Sequence, residues 1–271
     1  MSSESYSNKL YKYRVWENAY HKRLLTHNEI YFSSIVSFND PFEGIIPIRY
    51  DLLSEEDILK ISTRLTKRKY PGIKHKKAKS LAKRNMLKSP RYWENYGEMT
   101  GVQHNYRIEN FGIFSLTEDP HNIVMWSHYA DSHKGICVGF DMQEFDKCCN
   151  TIFTQSGLII DLHKIEYKDK FPVFERDKMS VEDHGVKPLI TKSEYWNYEK
   201  EWRLISINNK SKFPLRIRDG IICEIILGCR ISDKHKEEII EVLRRKKSKI
   251  TLFQASRKDS AFYLEFNRIE Y

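Results

Sequence analysis

Three short apolar runs constrain the fold of this chain more than any other feature. They are Gly112–Leu116, Gly135–Phe140 and Ile221–Leu227, and the first two are rich in Ile, Val and Phe. Runs of this length and composition are typical of strands in a buried sheet. Ile221–Leu227 is the longest strongly apolar stretch and is interrupted by Glu224, so it is far too short to cross a bilayer.

The remaining patterns mix strands and helices without a regular alternation. Further strands are predicted at Leu10–Trp16, Glu29–Ser33, Glu201–Ile207, Ile250–Ala255 and Ala261–Phe266. Helices are predicted at Asn18–Thr26, Ser54–Lys69, Lys74–Lys88, Pro188–Trp196 and Ser232–Lys247, with Ser54, Asp141 and Ser232 as N-caps and a turn at Asn39-Asp40-Pro41. Because no β-α repeat runs through the chain, the expected class is α+β with a single domain. A basic helical insertion is predicted around residues 54–100.

Charge and cysteine usage set the expected environment. The 271 residues include 46 Lys and Arg against 37 Asp and Glu, a net charge of +9. That balance favours an acidic partner such as nucleic acid or a nucleotide, although solubility alone explains it equally well. The five cysteines form no Cys-x-x-Cys pair, and Met1–Asn8 lacks the apolar core of a signal peptide. We therefore expect a cytoplasmic protein with no membrane partner.

The first candidate segment for chemistry is Tyr198–Arg203. On a strand, Glu199, Glu201 and Arg203 would share one face, where two neighbouring carboxylates repel and shift each other's pKa. An ordinary ion pair on a solvated edge strand is the alternative, and spacing alone favours it. The flanking Trp196, Tyr198 and Trp202 favour a cleft, since large aromatic side chains around charges are less typical of open surface.

The second candidate is Met125–Asp131, a dense polar and aromatic segment predicted to be a loop before a buried strand. His128 and Tyr129 would contact a ligand or, equally well, cap backbone groups. The residues His121, His128, Asp131 and His133 are a minor metal-binding option, because their spacing matches no established metal pattern. No nucleophile-elbow glycines surround Ser127.

The third candidate joins Tyr11–Arg14 with Tyr31–Ser34. Arg14 could hold a phosphate or carboxylate with two parallel hydrogen bonds, and the serines could bond a ribose. A surface arginine beside core aromatics is the alternative. The basic stretch Lys74–Lys88 and the run Arg244–Lys247 could contact a nucleic-acid backbone, or could be solvated helix faces. Neither a Gly-x-x-x-x-Gly-Lys nor a Gly-x-Gly-x-x-Gly motif is present, which disfavours ordinary ATPase and dinucleotide-domain functions.

Taken in order, these segments resemble a bacterial family known as domain of unknown function 2971 (DUF2971). The resemblance rests on Tyr11–Arg14, Tyr31–Ser34, Phe38–Phe42, Phe114–Leu116, Met125–Asp131, Lys134-Gly135 and Trp196–Leu204. That family is in turn remotely similar to the ADP-ribosyltransferase superfamily, whose members hold NAD in a cleft of a split β-sheet core with peripheral helices. The resemblance therefore implies that fold and NAD as a substrate.

The same resemblance implies roles for individual residues. Arg14 would hold the NAD phosphates, Ser33 would support the nicotinamide side, and Glu201 or Glu199 would stabilise an oxocarbenium-like transition state. The predicted catalytic residues are Arg14, Ser33, Glu199 and Glu201. The predicted NAD-binding residues are Tyr13, Arg14, Tyr31, Ser33, Trp126, His128, Tyr129 and Arg203, with no metal ligand.

Three functions follow as hypotheses. The leading one is an ADP-ribosyltransferase that modifies a nucleic acid or a protein, with a toxin or phage-defence role implied by the resemblance. The second is a non-catalytic module that binds a nucleotide or nucleic acid. The third is a metal-dependent hydrolase that uses His121, His128 and Asp131.

Overall fold

A computed structural model of the chain describes residues 8–44, 54–88, 111–148, 159–170, 181–206 and 212–271. The strands are β1 (Lys9–Arg14), β2 (Glu29–Ser34), β3 (Gly112–Thr117), β4 (Ile136–Asp141), β5 (Ile160–Lys164), β6 (Glu166–Lys168), β7 (Thr191–Ser193), β8 (Glu201–Ser206), β9 (Phe213–Arg216), β10 (Ile222–Leu227), β11 (Thr251–Arg257) and β12 (Leu264–Ile269). The helices are α1 (Ala19–Thr26), α2 (Glu55–Lys69), α3 (His75–Lys88), α4 (Ile123–Tyr129), α5 (Val181–Ile190) and α6 (Asp233–Arg244). Two 3₁₀ helices span Ile35–Ser37 and Glu194–Glu199, and a further helix begins at Met142.

Ten of these strands form one mixed sheet. Its main path runs β12-β11-β10-β4-β1-β3-β2-β9, and β8 pairs with β3 while β5 pairs with β8. Most neighbours are antiparallel, but β10 and β11 are parallel and are connected through α6. The strands β6 and β7 form a separate parallel pair. The predicted mixture of helices and strands is thus confirmed as a mixed α/β architecture around a large mixed sheet.

The sheet forks at β3. One edge of β3 pairs with β8 along its whole length, from Gly112 opposite Ser206 to Thr117 opposite Glu201. The other edge is shared, because β2 pairs with β3 at Ser33↔Ile113 and Ser34↔Gly112 whereas β1 pairs at Tyr11↔Thr117. The strands β1 and β2 therefore diverge from opposite ends of one edge and leave a gap over the middle of β3.

The centre of the sheet is buried on both faces. Along β4, Ile136, Val138 and Phe140 pack into one hydrophobic cluster, while Cys137 between them packs into a second cluster on the opposite face. The strand β10 divides in the same way, with Ile225 in the first cluster and Ile226 in the second. Because successive side chains of a strand point to opposite faces, a strand buried on both sides must be apolar at consecutive positions. This explains the continuous apolar runs of the sequence.

The predicted helix starts are confirmed at the N-caps. Side chains of Ser54, Ser232 and Asp141 accept hydrogen bonds from backbone N–H groups at the starts of their helices, and Asn18 does the same for α1. These first-turn N–H groups have no partner inside the helix, which is why a short polar side chain is favoured there. Among the described residues, no helix has the combination of length and apolar character needed to cross a membrane.

Two predicted elements are wrong. Met125–Asp131 is not a loop, since most of it lies in α4, which begins after the N-cap Asn122 and buries Met125 and Trp126. The predicted helix Pro188–Trp196 is also wrong. Pro188 lies near the end of α5, and the chain continues as β7, which pairs with β6, and as the 3₁₀ helix Glu194–Glu199. Pairing with a distant strand decided the second case, and such pairing leaves no local signal in the sequence.

The predicted basic helices at 54–88 are present as α2 and α3, which pack against each other. The rest of the predicted insertion, residues 89–100, and Ile207 of the predicted strand Glu201–Ile207 lie outside the described residues.

Candidate functional site

A cavity of about 510 Å³ occupies the fork of the sheet. Its walls come from β1, β2 and β3, from the segment that follows β2, from α4, and from the chain around Glu199 and Glu201. The volume lies within the roughly 300–1,000 Å³ that is typical of small-molecule sites. The fork therefore forms a concave site of the size typical of small-molecule sites.

The structure brings most of the predicted site residues to this one cavity. Its lining includes Tyr13, Arg14, Tyr31, Ser33, His128, Tyr129, Glu199 and Glu201. These residues come from β1, β2, α4 and the 3₁₀–β8 junction, and so from segments far apart in the chain. Tyr13 borders the cavity with its ring turned away, since its hydroxyl donates to the Asp119 carbonyl at 2.7 Å.

Trp126 was predicted to bind the ligand but is a core residue. Its side chain is 0% exposed and does not line the cavity. The ring contacts Tyr13 edge-on with centroids 5.2 Å apart, and Nε1 donates to the Pro120 carbonyl at 2.8 Å. Trp126 therefore supports β1 from behind, because the helix α4 turns its apolar face toward the sheet.

A buried charge cluster forms one wall of the cavity. Lys192 Nζ lies 2.9 Å from Glu43, 2.6 Å from Glu199 and 3.1 Å from Glu201. The guanidinium of Arg203 pairs with Glu43 at 2.5 Å and with Glu201 at 2.7 Å. Three carboxylates thus share two cations away from water, an arrangement that is stable only when the charges are well paired.

Arg203 was predicted to bind NAD, and the structure gives it a different position. It is 0% exposed, and all of its described contacts are to protein groups, including a hydrogen bond from Nη1 to the Leu189 carbonyl at 2.6 Å. Its Nε and Nη2 donate to the two carboxylate oxygens of Glu201 at 2.7 and 2.9 Å. This two-point contact fixes the plane of the Glu201 carboxylate, so Arg203 is a positioning residue for Glu201.

The prediction that Glu199 and Glu201 share one face of a strand is wrong. Glu199 is the last residue of the 3₁₀ helix, and Lys200 then takes a left-handed conformation with φ 44° before β8 begins at Glu201. The two carboxylates still face the same cavity because Lys192 bridges them. Tyr129 adds a hydrogen bond from its hydroxyl to Glu199 at 2.7 Å.

The surroundings push the pKa values of the two carboxylates apart. Burial opposes the ionisation of Glu201, but Arg203 and Lys192 outweigh burial and lower its pKa to about 2. Burial raises the pKa of Glu199, and the neighbouring Glu201 charge raises it further, while Lys192 acts in the opposite direction. Two carboxylates separated in this way are suited to different roles, one as a fixed negative charge and one as a proton carrier.

The strand β1 contributes two basic side chains to the cavity lining. Lys12 and Arg14 lie two residues apart on one strand and both line the cavity. Lys12 Nζ donates to the Ser115 carbonyl of β3 at 2.6 Å, inside the gap between the diverging strands. Burial lowers the pKa of Arg14 to about 10, so it stays charged at neutral pH, and burial together with Arg14 lowers the pKa of Lys12. An anion entering the cavity would therefore meet the charged guanidinium of Arg14, with the Lys12 side chain beside it as a further hydrogen-bond donor.

The opposite pKa shifts predict opposite pH dependence for two neutral variants. The pKa of Glu201 is below the unfolded value of about 4.3, so its ionised form stabilises the fold above that pH, and this contribution disappears as the pH falls toward about 2. The pKa of Glu199 is raised, so its contribution is present below about pH 4.3 and disappears as the pH rises through the folded pKa. Denaturant unfolding from pH 2 to 8 measures both. The difference in unfolding free energy between wild type and Glu201→Gln should become smaller toward low pH. The unfolding free energy of Glu199→Gln should increase relative to that of the wild type as the pH rises. Parallel curves for the two variants would contradict the assignment.

Sequence reasoning missed the residues that complete the site. Glu43, Lys192 and Ser115 line the cavity, and Lys12 was noted only as part of a motif. A partial signal existed for Glu43, because it follows the predicted turn in which Asp40 Oδ1 accepts from the Phe42 N–H at 2.9 Å. No signal existed for Lys192, since its partner Glu43 is distant in the chain and the pairing is visible only in the folded protein.

The predicted metal-binding option finds no support in the geometry. Among the described residues, no three His, Cys, Asp or Glu side chains are arranged to hold a metal ion. His121 instead stacks on Phe266 with centroids 4.1 Å apart, and its Nδ1 lies 2.9 Å from the Leu264 carbonyl. The described residues therefore provide no ligand set for the metal-dependent hydrolase hypothesis.

Fold and site together define a mixed α/β protein with a polar, charge-lined ligand cavity at a fork in its sheet. Residues 125–204 match the sequence profile of a family described as Protein of unknown function (DUF2971). The matched segment runs from α4 to β8 and carries one wall of the cavity, namely His128, Tyr129, Lys192, Glu199 and Glu201, together with Arg203. Arg14 and Ser33 lie outside it. Comparison with curated proteins and with solved structures gave no significant match.

Proposed function

We propose that this chain binds NAD in the cavity at the sheet fork and transfers its ADP-ribose to an acceptor. The observation that carries the proposal is the convergence of Arg14, Ser33 and Glu201, from three different strands, on one cavity. The order of these residues along the chain matches the order expected from the resemblance to ADP-ribosyltransferases. Chain order and spatial convergence are independent properties, so their agreement supports the proposal.

The charges of the cavity suit a dinucleotide. Arg14 and Lys12 on one wall can hold the pyrophosphate, which carries two negative charges. The exposed ring of Tyr31 and the hydroxyl of Ser33 lie along the neighbouring strand, where a nicotinamide ring and its amide require an aromatic surface and a polar partner. The carboxylates Glu199 and Glu201 line the same cavity and lie close enough to Lys12 to act on its charge.

The proposed reaction uses the two carboxylates differently. The bond between nicotinamide and C1′ of the ribose breaks, nicotinamide leaves with the bonding electron pair, and an oxocarbenium-like ribose remains. The ionised Glu201, held by Arg203 and Lys192, stabilises that positive charge. The acceptor then attacks C1′ and loses a proton to the ionised form of Glu199, which becomes the neutral acid; the raised pKa of Glu199 makes its carboxylate a stronger base than an ordinary one.

A direct test compares Arg14→Gln with Arg216→Gln, a matched removal of one cation from an exposed position on β9. Calorimetric titration with NAD and transfer of labelled ADP-ribose to cell extract are measured for both. We expect Arg14→Gln to lose about tenfold or more in NAD affinity, since a charge-assisted hydrogen bond is worth roughly 1.5–3 kcal/mol. Arg216→Gln should behave like the wild type. Absence of NAD binding by the wild-type protein would rule out the proposed function.

A second candidate is nucleotide binding without transfer. The observation that favours it is that the carboxylate of Glu201 is already engaged by protein groups. Its two oxygens accept three hydrogen bonds from Arg203 and Lys192. A carboxylate has about four acceptor positions, so little capacity remains for a substrate hydroxyl. Under this alternative, NAD or a related nucleotide binds with the same dependence on Arg14, but neither nicotinamide release nor label transfer is detected.

A further inference from the structure

The basic helix pair, which comprises α2, α3 and the residues between them, carries the whole net charge of this protein. The chain has 46 Lys and Arg and 37 Asp and Glu. Residues 54–88 contain twelve of the basic residues and three of the acidic ones, so the remainder of the chain has 34 of each. The three acidic residues are Glu55, Glu56 and Asp57, all in the first turn of α2. Residues 58–88 therefore contain twelve cations and no carboxylate.

Stability of the helices does not explain this distribution. Cations in the last turn of α2 suit the helix dipole, but Lys76 and Lys77 lie in the first turn of α3, where positive charge is unfavourable. Lys79 and Lys83 are four residues apart on α3, a spacing at which like charges repel. A solvated helix face that serves only solubility normally mixes both signs. The charge of α3 is thus placed against the electrostatics of its own helix.

The basic helix pair also has the shape of a binding surface. A groove of about 370 Å³ lies on it, lined on the basic side by Lys60, Arg64, Lys67, His75 and Lys79, with Glu56 at one end. These basic side chains are all exposed. Beneath them Ile61, Thr63 and Thr66 of α2 and Ala78 and Ala82 of α3 are buried, so small residues set the groove at the contact between the helices. None of the three hydrophobic clusters of the described chain includes a residue of the pair.

We infer that the basic helix pair is a docking surface for the phosphate backbone of a nucleic acid. Closely spaced cations along a groove match a regular row of phosphates, and their binding releases condensed counterions. An anionic membrane surface is a poorer fit, because a membrane-bound helix also presents large apolar side chains. Among the side chains that the structure describes in the pair, Tyr70 is the exposed large apolar one. It lies between the helices, with Lys69 Nζ 5.8 Å from its ring centroid.

The inference is independent of the chemistry proposed for the cavity. The groove shares no residue with the cavity lining. Loss of NAD binding would leave the inference unaffected, and loss of nucleic-acid binding would leave NAD binding in the cavity unaffected.

The test compares two triple variants of the full chain that remove the same charge. The first carries Arg64→Gln, Lys67→Gln and Lys79→Gln in the groove, and the control carries Lys212→Gln, Arg216→Gln and Arg218→Gln, three exposed cations on and beside β9. Fluorescence anisotropy with a labelled DNA duplex and an RNA duplex of mixed sequence is measured over a series of salt concentrations. Circular dichroism verifies that both variants keep their helices.

We expect the groove variant to lose about tenfold or more in affinity for the duplexes. The slope of log K against log salt concentration should fall in magnitude by about 2–3, roughly one for each lost phosphate contact. The control should stay within about twofold of the wild type at one salt concentration, as expected for cations that make no phosphate contact. Equal losses in the two variants would overturn the inference, since they would show a response to net charge alone. Binding of phosphatidylserine vesicles or of polyglutamate in place of both duplexes would also overturn it.

Discussion

Arg203→Leu is expected to cost about 3–5 kcal/mol of unfolding free energy, the largest stability loss that we predict for a single substitution. The reason is that Arg203 is fully buried between Glu43 and Glu201, and its removal leaves two carboxylates with Lys192 as their remaining buried cation. Removing one partner of a buried pair typically costs this much, because the other charge stays desolvated. Urea unfolding at pH 7, followed by far-UV circular dichroism, measures the loss.

Two comparisons separate charge from packing at Arg203. Arg203→Lys keeps the charge but cannot reproduce the planar contact with Glu201 or the bond to the Leu189 carbonyl, so we expect an intermediate loss. Arg268→Leu removes an arginine that is more than half exposed and pairs with Glu270 at 3.3 Å, and it should change stability by no more than about 0.5 kcal/mol. Equal losses for Arg203→Leu and Arg268→Leu would contradict the described charge cluster.

Glu201→Gln is expected to lower ADP-ribose transfer by about 10²–10³-fold, the range seen when one group that stabilises transition-state charge is removed. Glutamine keeps the shape of the side chain but not the negative charge that the oxocarbenium-like ribose requires. Because Glu201 also pairs with Arg203 and Lys192, the variant will be less stable and a fraction of the sample will be unfolded. Activity must therefore be expressed per mole of folded protein. Release of labelled nicotinamide and transfer of labelled ADP-ribose are measured at saturating NAD.

The matched control is Glu265→Gln, which removes a carboxylate from the exposed strand β12, where Glu265 pairs with Lys258 at 3.3 Å. We expect full transfer activity from this variant. NAD affinity should change much less than the rate in Glu201→Gln, because the carboxylate acts mainly on the transition state. A folded Glu201→Gln protein with wild-type transfer would show that Glu201 maintains the cavity and that the chemistry uses another group, of which Glu199 is the first to test.

Local patterns were sufficient for most of the secondary structure. The helix starts at Ser54 and Ser232 and the core strands β3, β4 and β10 all follow from capping residues and apolar runs. The errors at Met125–Asp131 and Pro188–Trp196 have a common origin. Aromatic and polar residues near Trp126 looked like a loop, although burial of one face makes a short helix stable, and β7 forms only because β6 lies beside it.

The residues that line the site could largely be predicted from the sequence, but the position of each side chain relative to the cavity could not. Arg14, Ser33, Tyr129, Glu199 and Glu201 were expected in one cleft, and they line one cavity. Trp126 and Arg203 were expected there too, yet one supports β1 from the core and the other fixes Glu201 from behind. Spacing shows that residues lie near one another but does not show which face of the backbone the cavity occupies.

The sequence by itself determined most of the elements, because caps, apolar runs and turns are local properties of neighbouring residues. It also determined the concentration of positive charge in residues 54–88 and the order of the segments that carry Arg14, Ser33 and Glu201. Only the tertiary structure decided that β1 and β2 diverge from one edge of β3 and that Glu43 and Lys192 meet at 2.9 Å across the chain. Strand pairing and buried ion pairs join residues far apart in sequence, and their energies depend on burial, which exists only after the chain has folded.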